Sequence, residues 1–251
     1  MERNSLWKYI QIGTNIRYLQ DCNSSYPISK EFGVIDNIER LMGQMEELSL
    51  NVTIRASYEL KEFNEKLKLI EEDRNLEDNE CSELSKILFN TRHTMTAEAQ
   101  GKFAFVTTDK RYDVAKLLDE IEKIFAPDVY SNLPEMAQFD FAEAGKCIVF
   151  ERPTSSAFHI LRGTEVLVRI YYKKFLRKKP ERKTWGQLLN ELKNKNKGKK
   201  PNLITLNHLV NIKDSFRNPT QHPDKIYDIQ EAQDLLSVCL DVVNRMINEM
   251  K

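Results

Sequence analysis

Residues 228–247 read DIQEAQDLLSVCLDVVNRMI, and this stretch decides the fold class. Its apolar side chains recur every three or four residues, which is the period of one face of an α-helix. Asp228 is followed three residues later by Glu231, the spacing of a capping box at a helix N-terminus. The stretch therefore predicts a long amphipathic helix that begins after Asp228 and needs other helices to cover its apolar face.

Stripes of the same period occur along most of the chain and predict an all-α fold. They place further helices at about residues 6–19, 35–48, 53–72, 81–100, 112–125, 139–150, 158–176, 185–192 and 203–216. In the first of these helices the expected packing face consists of Leu6, Tyr9, Ile10, Ile16 and Leu19. A composition of 41% hydrophobic and 30% charged residues, with only 8 Gly and 8 Pro, is typical of such a helical globular protein.

The segment Gly101–Thr108 has a different texture, because it is short, aromatic and β-branched. It predicts a single short strand near 102–108 or an extended linker. We therefore divide the chain into an N-terminal helical region at 1–100, a connector at 101–136 and a helical bundle at 137–251. The N-terminal region would be regulatory or would bind a partner.

The net charge of zero hides an uneven distribution of charge. Residues 169–200 contain thirteen Lys or Arg against Glu181 and Glu191, which gives a local charge of +11. A basic strip of this kind suggests contact with a polyanion, although a solvated lysine-rich loop is the simpler alternative. The aromatic residues Tyr171, Tyr172 and Trp185 lie among these lysines and could stack on bases, with core packing as the alternative.

The remaining bulk features predict a cytoplasmic protein with no membrane span. Residues 1–18 mix charged and apolar side chains, unlike a signal peptide, and no later apolar run is long enough to cross a bilayer. The four cysteines are scattered without a C-x-x-C pair and are expected to be reduced thiols. No metal-ligand spacing is present in the sequence, and no cofactor is expected.

A short polar segment separates the last two predicted helices and reads FRNPTQHP at residues 216–223. Its two prolines predict a turn. The pattern of Arg217, Asn218 and His222 resembles the signature of the HEPN superfamily, in which an Arg and a polar residue precede a His by a short spacing. The stretch FERPTSSAFHILRGTE at residues 150–165 is also similar to uncharacterised bacterial HEPN-like proteins. The resemblance covers the C-terminal half only.

The resemblance implies a metal-independent endoribonuclease that acts as a homodimer through its C-terminal bundle, in the setting of a toxin or an antiphage-defence effector. In such enzymes a ribose 2′-hydroxyl attacks the neighbouring phosphate, a His moves the proton and an Arg stabilises the phosphoryl oxygens. The catalytic residues implied here are Arg217, Asn218 and His222. The RNA backbone would be attracted by the end of the long helix, at Lys173, Lys174, Arg177 and Lys178.

Other readings of these residues remain open. Arg217 could instead stabilise the C-terminal end of its helix, with His222 an ordinary turn residue. Arg162 and Glu165 are candidates for support of the site, or for a surface ion pair with each other. His159 and His208 are expected to be packed or solvated side chains.

The function has alternatives as well. The bundle could be a non-catalytic HEPN-like module that binds RNA or a nucleotide or only dimerises, or the chain could be an adaptor acting through its N-terminal helices. An antitoxin or sensor partner could bind the N-terminal region. HEPN toxins controlled by a partner nucleotidyltransferase commonly have Tyr two residues after the His, where this chain has Asp224.

Overall fold

The fold is all-α, and a computed structural model describes residues 5–70, 74–222 and 225–251. Its contacts divide the chain into two compact units, the first ending at Phe105 and the second running from Val106 to Lys251. Each unit has its own cluster of buried apolar side chains. The segment predicted as a connector contributes Leu117, Ile121 and Phe125 to the core of the second unit.

The described residues of the first unit form five helices. They are α1 (Leu6–Gln20), α2 (Val34–Glu47), α3 (Asn51–Ala56), α4 (Tyr58–Lys68) and α5 (Asp78–Gln100). The buried faces of α1, α2, α4 and α5 contribute Ile16, Leu41, Leu60 and Leu84 to one core. The capping box at the start of α5 joins Glu77 and Glu80.

Two predictions about this unit were wrong in detail. The start of α1 is not a packing face, because Leu6, Tyr9 and Ile10 are exposed. The helix predicted at 53–72 is interrupted at Ser57, and its predicted last residues, 71 and 72, lie outside the described residues. The N-terminus of α3 is held by the Glu98 carboxylate of α5, which accepts hydrogen bonds from the Val52 and Thr53 amides. After the interruption at Ser57, α4 packs Leu60 and Phe63 inward.

The short strand considered near 102–108 is absent. Residues 102–110 have no regular secondary structure, and the side chains of Phe103, Phe105 and Val106 are exposed. A strand needs a paired neighbour to satisfy its backbone groups. In the described part of the chain the one β-bridge joins Pro27 and Asn75, far from this segment in sequence.

The second unit is built around one long central helix. Its elements are α6 (Val114–Asp119), two short 3₁₀ segments (Ile121–Ile124 and Tyr130–Asn132), α7 (Glu135–Val149), α8 (Pro153–Leu176), α9 (Trp185–Lys193), α10 (Leu203–Ile212), a π-helical turn (Lys213–Arg217), α11 (Asn218–Thr220) and α12 (Ile229–Met250). Both α7 and α12 pack against α8. The final helix begins at the predicted capping box of Asp228 and Glu231. Tyr171, Tyr172 and Trp185 are buried in this core, which confirms core packing as the interpretation of these three residues.

The segment predicted as a turn at 216–223 is largely helical. The π-helical turn ends at Arg217, where the Asn218 amide donates to the Lys213 carbonyl five residues earlier. Pro219 follows inside α11, and a turn begins only at Gln221. A proline usually clashes with the carbonyl four residues before it, and the wider π turn relieves that clash. The second proline, Pro223, and Asp224 lie outside the described residues.

The cysteines are free thiols, as predicted. Cys239 is buried in the second core, and burial raises the pKa of its thiol to about 12. Burial likewise raises the pKa of the Cys22 thiol in the first unit to about 12. Both groups are therefore protonated and poorly reactive at neutral pH.

Candidate functional site

A groove of about 550 Å³ lies between the first half of α8 and residues 216–222, which we call the motif segment. Helix α8 lines it with Ser155, Phe158, His159, Leu161, Arg162 and Glu165, and the motif segment lines it with Arg217, Thr220 and Gln221. The fold therefore brings Arg217 together with Arg162 and Glu165, the two residues expected to support it. The sequence places these two sets of residues more than fifty positions apart.

Arg217 faces a carboxylate that it shares with a second arginine. Its Nη2 lies 3.8 Å from Glu165 Oε2, while Arg169 donates to Glu165 Oε1 at 2.6 Å. Arg169 also donates to the backbone carbonyls of Pro180 and Lys183, so it is held from several sides. The pair between Arg217 and Glu165 is the longer of the two, and longer ion pairs are weaker. Of the two arginines that face Glu165, Arg217 is therefore the one whose guanidinium is more available to an anionic ligand.

Arg162 and Glu165 do not pair with each other, so the surface ion pair considered for them is wrong. Arg162 instead forms an ion pair with Asp140 of α7, and its Nε lies 2.9 and 3.0 Å from the two carboxylate oxygens. Asp140 is fully buried, and its carboxylate raises the pKa of the Arg162 guanidinium. A charge this deep in a core needs such a partner, because burial without one is costly. The ion pair joins α7 to α8 beside the groove.

His159 shares the same buried carboxylate. Its Nδ1 lies 2.9 Å from Asp140 Oδ1, and its side chain is 27% exposed where it lines the groove. His159 is thus a partly buried side chain, and its hydrogen bond to a buried carboxylate was not predicted. Gly163 permits this arrangement, since a Cβ there would lie 3.1 Å from the Asp140 Cβ and 3.3 Å from the Phe141 ring. The absent side chain lets α7 approach α8 closely enough for Asp140 to reach both partners.

The remaining motif residues point elsewhere. Asn218 and His222, with Pro219 and Lys225, line a separate depression of about 410 Å³. Asn218 donates to the Asp214 carboxylate at 3.4 Å, four residues earlier on the same helical segment. The proposed trio of Arg217, Asn218 and His222 is thus divided between two depressions that share the motif segment as their common wall.

The motif segment is anchored from inside. Thr220 Oγ1 and Tyr227 Oη both donate to the Phe216 carbonyl, at 2.6 and 3.1 Å, and lie 2.7 Å from each other. The carbonyl belongs to the π-helical turn, where regular helical bonding is interrupted. Tyr227 is buried, and its amide donates to Thr154 at the start of α8. These bonds fix the position of Arg217 relative to α8.

The predicted RNA-binding residues lie at the other end of α8. Lys173, Lys174, Arg177 and Lys178 are all exposed, and the Lys178 ammonium lies 3.9 Å from Glu191. The helix rises about 1.5 Å per residue, so Lys173 lies roughly 16 Å from Arg162 along its axis. The basic end of α8 is therefore separate from the groove.

His159 in the lining of the groove and Asp140 buried behind it were not among the predicted site residues. A signal for Asp140 exists in the sequence, because it lies between Phe139 and Phe141 at apolar helical positions. A carboxylate in such a position needs a cationic or hydrogen-bonding partner. The identity of that partner could not be read from the sequence, since it depends on where α8 crosses α7.

No protein-family profile, curated protein or solved structure matches this chain. Among residues 5–70, 74–222 and 225–251, three or more His, Cys, Asp or Glu side chains nowhere gather as metal ligands would. Within the same residues, every helix is too short or too polar to cross a membrane.

Proposed function

We propose that the second unit is a metal-independent endoribonuclease of the HEPN type. The observation that carries the proposal is the groove in which Arg217 lies with a second ligand-accessible arginine and a histidine. Counting Arg162, Arg169 and Arg217 against Asp140 and Glu165, the groove and its immediate partners have a charge of +1. Such a surplus favours a phosphodiester, whose oxygens match the fork of a guanidinium.

Arg217 would stabilise the charge that develops on the phosphoryl oxygens when a ribose 2′-hydroxyl attacks phosphorus. His222 would transfer a proton, and Asn218 would hold the phosphate or the arginine by a hydrogen bond. Because Asn218 and His222 line the neighbouring depression, the substrate would have to pass over the motif segment. The basic end of α8 would attract the RNA backbone without reading its sequence.

The biological setting belongs to the same proposal. A toxin or antiphage-defence effector would act as a homodimer through the second unit. The first unit would then sense a trigger or bind an antitoxin. These roles follow from the resemblance of residues 150–165 and 216–223 to HEPN proteins.

Cleavage of total RNA and tRNA in EDTA tests the proposal, with wild type, Arg217→Ala and His222→Ala compared at equal concentration. We expect wild type to produce 2′,3′-cyclic phosphate and 5′-hydroxyl ends, and both variants to be slower by about 10²-fold or more. Arg245→Ala is the matched control, because Arg245 pairs with Asp241 on α12, outside the groove. Equal cleavage by all four proteins would contradict the assignment, since it would indicate a contaminating nuclease.

The same experiment separates the alternative of a non-catalytic module. A binding module would retain RNA without cutting it, and Arg217→Ala would weaken the retention measured by fluorescence anisotropy. An adaptor acting through the first unit would neither cut nor bind RNA, and it would be indifferent to both substitutions.

A further inference from the structure

We infer that His159 is the group that removes the proton from the attacking 2′-hydroxyl, and that Asp140 positions it. This inference rests on the proposed ribonuclease function and adds a catalytic residue to it. His159 lies in the groove with Arg217, whereas His222 lines the separate depression. A base must come within hydrogen-bonding reach of the proton that it abstracts, so a residue in the same groove as the phosphate-binding arginines is better placed.

The bond to Asp140 fixes which nitrogen of His159 can act. A carboxylate only accepts hydrogen bonds, so the Nδ1–H of His159 donates to Asp140 Oδ1 at 2.9 Å. The neutral ring then has its lone pair on Nε2, the nitrogen required of a base. When Nε2 takes up a proton, the buried carboxylate stabilises the imidazolium that forms. Because Asp140 is fully buried, water does not compete for its hydrogen bond to His159.

Arg162 completes the arrangement from the other side of the carboxylate. Its Nε and Nη2 donate to Asp140, while its side chain is 55% exposed at the groove. Nη1 is not part of that pairing and can donate to a phosphate oxygen. The groove therefore offers two guanidiniums, Arg162 and Arg217, for the phosphate of an RNA strand and one oriented histidine for the adjoining ribose.

The step conserves atoms and charge. The bond from O2′ to phosphorus forms, the bond from phosphorus to O5′ breaks, and the proton from O2′ moves to His159 Nε2. The leaving O5′ takes a proton from solvent, either directly or through His222. The products are a 2′,3′-cyclic phosphate and a 5′-hydroxyl end, after which His159 returns its proton to solvent.

The test measures cleavage of a short single-stranded oligoribonucleotide by wild type, His159→Asn and His208→Asn across a pH series. Asn at 159 can still donate to Asp140, so this variant removes the base while keeping the buried hydrogen bond. We expect kcat/KM to fall by about 10²–10⁴-fold and the acidic limb of the pH profile to disappear. His208 is the matched control, because its Nδ1 lies 3.0 Å from Asp241 outside the groove. His208→Asn should behave as wild type.

Two further measurements exclude a merely structural role. Binding of the 2′-O-methyl form of the oligonucleotide, which cannot be cut by this route, should be unchanged in His159→Asn. Added imidazole should restore part of the activity of His159→Ala, since it can occupy the vacated space and act as the base. If His159→Asn fails to fold, as judged by its thermal midpoint, recovery of His159→Ala in imidazole decides the question.

The positioning role of Asp140 has its own readout. In Asp140→Asn the imidazolium loses its carboxylate partner, so we expect kcat to fall while binding of the 2′-O-methyl oligonucleotide is unchanged. Asp241→Asn should leave both kcat and binding unchanged. A loss of stability alone would lower kcat and binding together.

The outcomes distinguish this inference from the function on which it rests. If wild type cleaves RNA and His159→Asn cleaves equally well with its acidic limb intact, the inference is overturned and the ribonuclease stands. If His222→Ala removes the acidic limb instead, His222 is the base. If wild type at high concentration releases no cyclic-phosphate ends from any RNA, the proposed function and the inference are overturned together.

Discussion

The second unit contains two clusters of the same three residue types, and one of them adjoins the groove that contains Arg217. Asp140 bonds to His159 and Arg162 between α7 and α8, and Asp241 bonds to His208 and Arg245 between α10 and α12. The distances from carboxylate to histidine are nearly equal, at 2.9 and 3.0 Å. Residue type and pairing therefore do not distinguish a candidate site from a surface ion-pair cluster.

Burial and surroundings make the difference. The side chain of Asp140 is fully buried, whereas that of Asp241 is 45% exposed. Water competes with the partners of Asp241, but the partners of Asp140 alone satisfy its charge. The buried cluster also adjoins Arg217 and Glu165, which makes it part of a surface suited to an anion. The environment of the carboxylate, rather than the three residue types, therefore makes the first cluster a candidate functional site.

The largest expected effect is the loss of the buried carboxylate. Asp140→Ala leaves His159 and Arg162 without their common acceptor, and we expect the free energy of unfolding to fall by about 3 kcal/mol. Asp241→Ala should cost less than about 1 kcal/mol because its pairs are solvated. Urea unfolding followed by circular dichroism measures both. Equal costs for the two substitutions would remove the distinction between the clusters.

A smaller effect is expected where the groove is supported from inside. Tyr227→Phe removes one of the two hydroxyls that donate to the Phe216 carbonyl, and we expect a cost of about 1–2 kcal/mol. Tyr58→Phe is the matched control, because the Tyr58 hydroxyl is exposed and reaches only Glu59, its neighbour in the chain. Differential scanning calorimetry compares the two variants. A neutral Tyr227→Phe would show that the motif segment is held by other contacts.

The charges at the basic end of α8 are solvated, whereas those at the groove are oriented by ion pairs. Replacing its four exposed cations with Gln should weaken binding of single-stranded RNA about tenfold in moderate salt, and should reduce the salt slope by about 3. These cations are Lys173, Lys174, Arg177 and Lys178. A charge-matched control replaces four exposed cations of the first unit, Arg55, Lys61, Lys86 and Arg92. Fluorescence anisotropy at several salt concentrations gives both slopes, and equal losses would indicate only an effect of net charge.

The smallest expected effect is on the stability of the fold at acidic pH. Arg245 holds the pKa of Asp241 below its ordinary value, with His208 adding to the shift. A depressed pKa stabilises the fold above the unfolded value near 3.9 and is lost as pH falls through the folded pKa. The stability difference between wild type and Asp241→Asn, below about 1 kcal/mol at pH 6, should therefore shrink as pH falls below 4. Urea midpoints at a series of pH values check this, and a difference that grows in acid would reverse the sign.

Local features were predicted well because they depend on neighbours in the chain. The capping box at Asp228 and the apolar period of α12 were confirmed, since both arise from residues within a few turns of each other. The turn predicted at 216–223 was wrong because a π-helical turn accommodates Pro219, and sequence rules for proline assume a regular α-helix. The packing face assigned to the start of α1 was wrong because an apolar period does not say which of its residues a neighbour covers.

The sequence by itself determined the all-α class, the course of most helices, and the short polar motif that contains Arg217, Asn218 and His222. Only the tertiary structure decided that Arg217 shares a groove with Arg162 and His159 while His222 lies in another depression. The physical reason is that helical period and capping are short-range, whereas the site depends on where separate helices cross. The close approach of α7 to α8 at Gly163 brings Asp140 to a histidine nineteen residues away.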